Sequence, residues 1–370
     1  MYLVEWMLWQ GATAEKGSWA SLEGSLSRFT PERVKKGEIQ AEKSRKQRQS
    51  DTPRLRSPAY TYNDTYLEMR AGCMEYARGL ISVVSLFYIY IAIGFLNLSY
   101  VALFKFISNP GLSWLLACIF PAVFAGVFVW FYIKYGLTIT RFEMITQRRL
   151  LVRFNRKTRQ VYLHRPKYAG GIVALPWDKV GVMTDVGGIR FPMMLAWDND
   201  EGRPNPECCF VGKSSATSGP VVDEWEFIRR YMEEGPQGLP KPRLRTRWPM
   251  PWHGFEPVFG GMLGLLLGKR DPKDRPKDAK QWCQRIIGKI LIVAALIMIS
   301  PALLILGLAN WLSQLLCWEP RWPKVIKEAG EPGKLTPKLT EAIDYDADTC
   351  RRLYLNADVW KTVDESESES

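Results

Sequence analysis

The chain has 370 residues, 47% of them hydrophobic, and 50 Lys+Arg against 38 Asp+Glu give it a formal charge of +12. That balance excludes a wholly disordered or collagen-like polypeptide. Seven cysteines without a CxxC pair, and only two histidines, His164 and His253, argue against a disulfide scaffold, a zinc ribbon and a His-rich metal centre. The mean hydropathy of −0.15 suits a soluble protein, but it averages over very unequal segments.

Residues 1–78 form a basic arm, read as partly disordered, with AEKSRKQRQSDTPRLRSP as its most polar stretch. The opening MYLVEWMLWQG has no basic leader and no small-residue cleavage site, so the first apolar span reads as an uncleaved anchor. Residues 79–133 read as a transmembrane helical hairpin. Gly79–Phe104 and Phe106–Ile133 carry no charge, and Ser108-Asn109-Pro110-Gly111 lies between them as a turn signal. About 20 apolar residues suffice to cross roughly 30 Å of hydrocarbon.

Residues 134–235 change character. GLTITRFEMI, RRLLVRF, QVYLH, GIVALPWDKV, VGVMTD, RFPMMLAW and ECCFVG are short β-branched or aromatic runs separated by turn formers, and predict seven strands. In VVDEWEFIRRYMEEG, Val221, Trp225, Ile228 and Met232 recur on one face of a helix that Pro220 starts. Seven short strands closed by one amphipathic helix resemble the pleckstrin-homology-like fold. The expected class is therefore membrane α + β: a transmembrane hairpin, a cytoplasmic pleckstrin-homology-like β domain and one further transmembrane helix.

Residues 236–289 are a Pro-rich, basic linker with a short apolar stretch, 257–268, read as interfacial or packed, in which Gly260, Gly264 and Gly268 suit close helix contact. Residues 290–318 are a third transmembrane or re-entrant segment with Pro301 at mid-span, and 319–370 an acidic tail ending DESESES. Basic residues flank the β domain at its membrane ends: Lys134, Arg141, Arg148 and Arg149 on one side, Lys269, Arg270, Lys273, Arg275, Lys277, Lys280, Arg285 and Lys289 on the other. The positive-inside rule places such a segment in the cytoplasm. With three spans, the tail emerges on the far side.

Signatures of chemistry are few. No phosphate-binding loop, nucleophile elbow or metalloprotease motif occurs, so no enzyme, cofactor or metal is expected. Cys208 and Cys209 are neighbours on one strand and face opposite sides. Asp344, Asp346 and Asp348 alternate but lack the Gly and terminal Glu of a calcium loop. The spans hold no ionisable side chain, which weighs against active transport. Arg148, Arg149, Arg153, Arg156, Lys157 and Arg159 form the densest basic patch of the β domain. It is a candidate site for lipid head groups or a partner. Nucleic acid is not expected, because exposed interleaved aromatics or a basic helix are missing.

The stretch RFNRKTRQVYLHRPKYAGGIVALPWDKV, with the hairpin before it and WEPRWP after the third span, resembles an uncharacterised family of multi-pass membrane proteins of Gram-negative bacteria encoded beside type VI secretion effectors. The likeness covers roughly residues 75–330, and its most specific part runs from Phe154 and Asn155 to Trp177 and Asp178. These four residues read as architecture, a tight hairpin and a strand whose Trp packs a core. The resemblance implies an inner-membrane immunity protein that binds and neutralises a cognate toxin. The alternative is a membrane-anchored adaptor or lipid-sensing module built on the β domain.

Overall fold

The computed structural model describes residues 2–7, 45–72, 78–183, 192–197, 207–213, 215, 219–267 and 279–340. They fall into two compact units, one holding residues 75–146 and 248–318, the other residues 2–74, 147–247 and 319–370. Cys350, the alternating aspartates of the tail, the acidic end and the loop DNDEGRPNP lie outside the described residues.

The first unit is helical. Helix α1 spans Leu80–Ser108 and α2 Leu112–Phe131, interrupted where Asn109, Pro110 and Gly111 stand. Small residues let the two approach: Ala92, Ser99, Ala102 and Ala125 are buried in otherwise exposed apolar helices. Tyr88 stacks on Phe128 at 5.0 Å, Phe95 on Phe124 at 5.8 Å, and Ser99 Oγ donates to the Cys118 carbonyl at 2.7 Å. Helix α2 passes through a π-turn at Tyr132–Gly136 into a last helical turn, Leu137–Thr140. The strand expected in GLTITRFEMI is therefore helix. Its β-branched residues are held there because Thr140 Oγ1 donates back to the Gly136 carbonyl at 2.8 Å.

Helices α3, Gly219–Glu233, and α6, Lys324–Glu328, belong to the second unit, whereas α4, Pro251–Leu267, and α5, Ala279–Leu315, complete the first. Helix α5 continues unbroken past Pro301, and α4 packs along it. A Cβ on Gly254 would lie 2.6 Å from the Gly307 carbonyl oxygen, so the backbones approach because residue 254 is glycine, and a Cβ on Gly307 would strike the Phe255 ring at 2.2 Å. The close contact expected at Gly260, Gly264 and Gly268 falls outside the residues whose packing is described. Among the described residues three helical segments, Leu80–Ser108, Leu112–Thr140 and Ile286–Leu315, are long and apolar enough to cross a membrane, and this is a membrane protein.

The second unit is an antiparallel sheet, with strands β1 Ala59–Tyr62, β2 Tyr66–Ala71, β3 Leu150–Asn155, β4 Gln160–His164, β5 Ile172–Pro176, β6 Val180–Met183, β7 Met193–Trp197 and β8 Glu207–Val211. The order is β5-β4-β3-β2-β8-β7-β6, with β1 on β2. Six of the seven expected strands form. The other two come from the arm, where Leu67, Met69 and Ala71 alternate inward. On α3, Val221, Trp225, Ile228 and Met232 all enter the core, as their spacing requires.

The sheet unit is wider than the stretch 134–235. It takes in the arm strands and also residues 319–340, expected as a tail on the far side of the membrane. That segment lies on the outer face of β3, β4 and β5, where Ile326 and Ala329 pack with Tyr162 and Ala174, and Trp322 rests against them. Both faces of these strands are covered, which is why every residue of β3 and β4 is buried.

Candidate functional site

The six basic residues of the expected patch sit on or beside the β3–β4 hairpin, but they do not converge. Arg148 and Arg149 both reach Glu319, at 3.3 and 3.2 Å. Arg149 also donates to the Arg247 carbonyl and stacks on Tyr60. Arg156 and Lys157 pair with Asp64 at 3.0 and 2.9 Å. Arg159 pairs with Asp178 at 2.6 Å and Glu233 at 3.2 Å.

Arg153 is the buried member. Its guanidinium bonds Glu68 at 2.7 Å, lies between the rings of Tyr66 and Trp322 at 4.1 and 4.9 Å, and donates to the Ile326 carbonyl. Glu68 is itself fully buried, and its second partners are Arg247 and the Trp322 indole N–H. Both carboxylate oxygens find donors, two of them guanidinium groups, which offsets the cost of burying them.

The arrangement holds a later segment of the same chain. Arg153, Asn155 and Gln160 donate to the carbonyls of Ile326, Ala329 and Pro337 at 3.1, 2.8 and 3.0 Å. At the β5 edge, Ala174 N–H donates to Thr340 Oγ1, while Thr340 N–H donates to the Ala174 carbonyl. Outward-facing polar side chains of the sheet thus hold the segment 319–340 by its backbone. His164 Nε2 meets the Arg321 carbonyl at 3.1 Å, and burial holds the imidazole below its ordinary value. Burial also raises the Tyr162 phenol to about 12.

Among the motif residues, Phe154 meets Trp177 edge-on at 6.1 Å, and Trp177 lies 5.6 Å from Trp225 of α3. Asn155 Oδ1 accepts from the N–H groups of Lys157 and Thr158, both at 3.1 Å, and shapes the hairpin turn. Asp178 is held below the usual carboxylate range by its hydrogen bond from Arg159. For Glu233, burial opposes ionisation, but hydrogen bonds from Arg159 and the Trp177 indole outweigh it and lower its pKa.

A second polar cluster lies in the helical unit. Glu143 is fully buried, and its Oε2 accepts from Ser82 N–H at 2.9 Å and Ser82 Oγ at 2.8 Å. It caps α1, whose own N-cap, Gly79, has no side chain to do so. Arg78 donates to the Glu143 carbonyl at 3.0 Å and to Ser313 Oγ at 3.0 Å, and Cys317 Sγ donates to the same carbonyl. Ser85, Thr140 and Tyr132 continue the cluster as a row of hydroxyls 3.0 and 2.9 Å apart. Among the described residues no group of His, Cys, Asp and Glu could hold a metal ion.

Glu68, Trp322, Arg78 and Glu143 escaped sequence reasoning because their partners are remote: Arg153 lies 85 residues from Glu68, and Ser313 lies 235 from Arg78. The only local trace is the WEPRWP segment, conspicuous in composition but silent about what it packs on.

A family model described as "Family of unknown function (DUF6708)" matches residues 127–331, more than half of the chain. The chain belongs to this family. The match begins in α2 and ends within the segment held by Arg153 and Asn155, so it takes in β3 to β8 and α3 but not β1 and β2. No curated protein matches the chain, and no solved structure does.

Proposed function

We propose that this DUF6708 protein is a non-enzymatic inner-membrane protein that binds and neutralises a cognate type VI secretion effector, one that acts on the membrane. The observation that carries the reading is a division of labour between the units. The helical unit presents long exposed apolar faces, while the described charges of the basic patch are spent on ion pairs inside the sheet unit. Such a protein offers a membrane-acting partner its helical hairpin, which can compete for helix contacts in the bilayer. The sheet unit, read as pleckstrin-homology-like with α3 filling its core, is the anchor on the cytoplasmic side, in keeping with Lys134, Arg141, Arg148 and Arg149 in the sequence that follows α2.

Deletion of the gene should make cells sensitive to killing by sister cells, and the product of the neighbouring effector gene should co-purify with the protein. Unchanged survival sinks the reading. The lipid-sensing alternative asks basic side chains to reach head groups, and their internal pairing weakens it. Replacing Lys157 and Arg159 by Ala should leave protection against sister cells intact; its loss would favour the alternative.

A further inference from the structure

The sheet unit is assembled from three pieces of chain that the helical segments separate. Strands β1 and β2 precede α1, strands β3 to β8 lie between α2 and α4, and residues 319–340 follow α5. The pieces share one buried fabric. β2 pairs with β3 through six residues; Glu68 of the first piece, Arg153 of the second and Trp322 of the third form one buried ion-pair and indole cluster. A fabric of buried hydrogen bonds cannot be divided across a bilayer, since each severed group would lose its partner in hydrocarbon.

We infer that residues 248–318 form a second membrane hairpin, so that the segment after α5 returns to the side on which the sheet unit lies. A chain that leaves one compact unit and re-enters it must cross the membrane an even number of times. The first excursion, α1 with α2, supplies two crossings. For the second, one long apolar helix would give one, and α4 supplies the other. Its 17 residues rise about 26 Å, slightly under the roughly 30 Å of the hydrocarbon core. The packing inside the helical unit agrees independently. The start of α4 lies against the end of α5, with Gly254 on Gly307 and Trp311 Nε1 donating to the Pro249 carbonyl at 2.9 Å. The two helices are therefore antiparallel, and the excursion begins and ends at one level. Lys269, Arg270, Lys273, Arg275, Lys277, Lys280, Arg285 and Lys289 then belong to the opposite face, and Arg148, Arg149, Arg243, Arg245 and Arg247 to the side of the sheet unit. An even number of crossings puts the two sets on opposite sides without deciding which of them is cytoplasmic. This inference does not depend on the effector reading; it determines that a partner arriving from the opposite face meets the hairpin tip with its Lys105–Trp114 pair, 4.7 Å apart, and not the tail.

The test is thiol labelling of the full chain in intact and opened cells with a membrane-impermeant maleimide. Native cysteines are replaced and single cysteines placed at Asp64, Asn109, Ile287 or Leu335. Asp64 and Leu335 are expected to label from one side, Asn109 and Ile287 from the other. Labelling of Leu335 from the side opposite to Asp64 overturns the inference, and so does labelling of Ile287 from the side of Asp64. Should the cysteine-free background fail to fold, terminal epitope tags on the otherwise unaltered chain, probed with protease, decide the same point. The two tags are expected to be cut together, and cutting of only one from outside intact cells overturns the inference.

Discussion

Glu68 shows how much a single buried charge governs here. With Arg153 and Trp322 on one carboxylate oxygen and Arg247 on the other, Glu68→Gln leaves a desolvated guanidinium without its counter-charge. The expected loss is about 3–5 kcal/mol, measurable by denaturant unfolding of the sheet unit in the detergent-purified chain. His164 gives a pH signature. Its folded pKa lies below the ordinary 6.5, so the unfolded chain binds a proton that the folded chain refuses. The stability associated with the neutral imidazole is complete above that ordinary value and is lost as the pH falls towards the folded one. His164→Gln should flatten the slope of unfolding free energy against pH in that window, and an unchanged slope would assign the sensitivity elsewhere. The depressed Asp178 and Glu233 act in the same direction at lower pH, losing their contribution as they protonate. Glu143→Gln removes the charged cap from Ser82 and should cost about 1–2 kcal/mol, read as lowered thermal stability of the helical signal in circular dichroism.

Among the elements, the segment 319–340 and the α4–α5 pair depend on features of opposite kind. The segment is held through side chains reaching for its backbone, with Trp322 as the bulky anchor. Trp322→Ala, at a half-buried site, should cost less than the about 3–5 kcal/mol of a core tryptophan and make the chain after residue 318 sensitive to limited proteolysis, whereas a change at exposed Leu335 should not. The helix pair is held by the absence of side chains. Gly254→Val would drive a branched Cβ into the Gly307 carbonyl and the Trp311 backbone, whose atoms would lie 2.6 and 2.8 Å away. Disulfide cross-linking between cysteines placed at the facing ends of α4 and α5 should fall in that variant and persist in the parent. The same elements mark where sequence reasoning worked. α3 was legible because its four apolar positions all face one core. GLTITRFEMI was not, because strand-forming composition yields to the helix that α2 carries into it and to the back-bonding of Thr140.

For the molecule as a whole, the order of pieces along the chain couples the two units. The sheet unit lacks its outer cover until residues 319–340 have emerged, after the last apolar helix. Deleting 319–370 should therefore leave α1, α2, α4 and α5 inserted while exposing Arg153, Gln160 and Tyr162 on a face built to be covered. Carbonate extraction should still find the truncated chain in the membrane fraction, with the sheet unit degraded faster than in the full chain. The basic patch takes its meaning at this scale too. Read along the sequence it is six cations on a hairpin, but Asp64, Glu68, Asp178, Glu233 and Glu319 come from four other stretches of chain to meet it.

The sequence by itself determined the membrane class, because a run of uncharged apolar residues longer than the bilayer is thick needs no tertiary context to be recognised. It also determined most strands and the core face of α3, since periodicities of two and 3.6 residues are local properties. Only the tertiary structure decided where the +12 goes, which strands the arm lends to the sheet, and that the segment after α5 belongs to the sheet unit. Those outcomes rest on pairings between residues tens to hundreds of positions apart, and no local pattern records a partner at that distance.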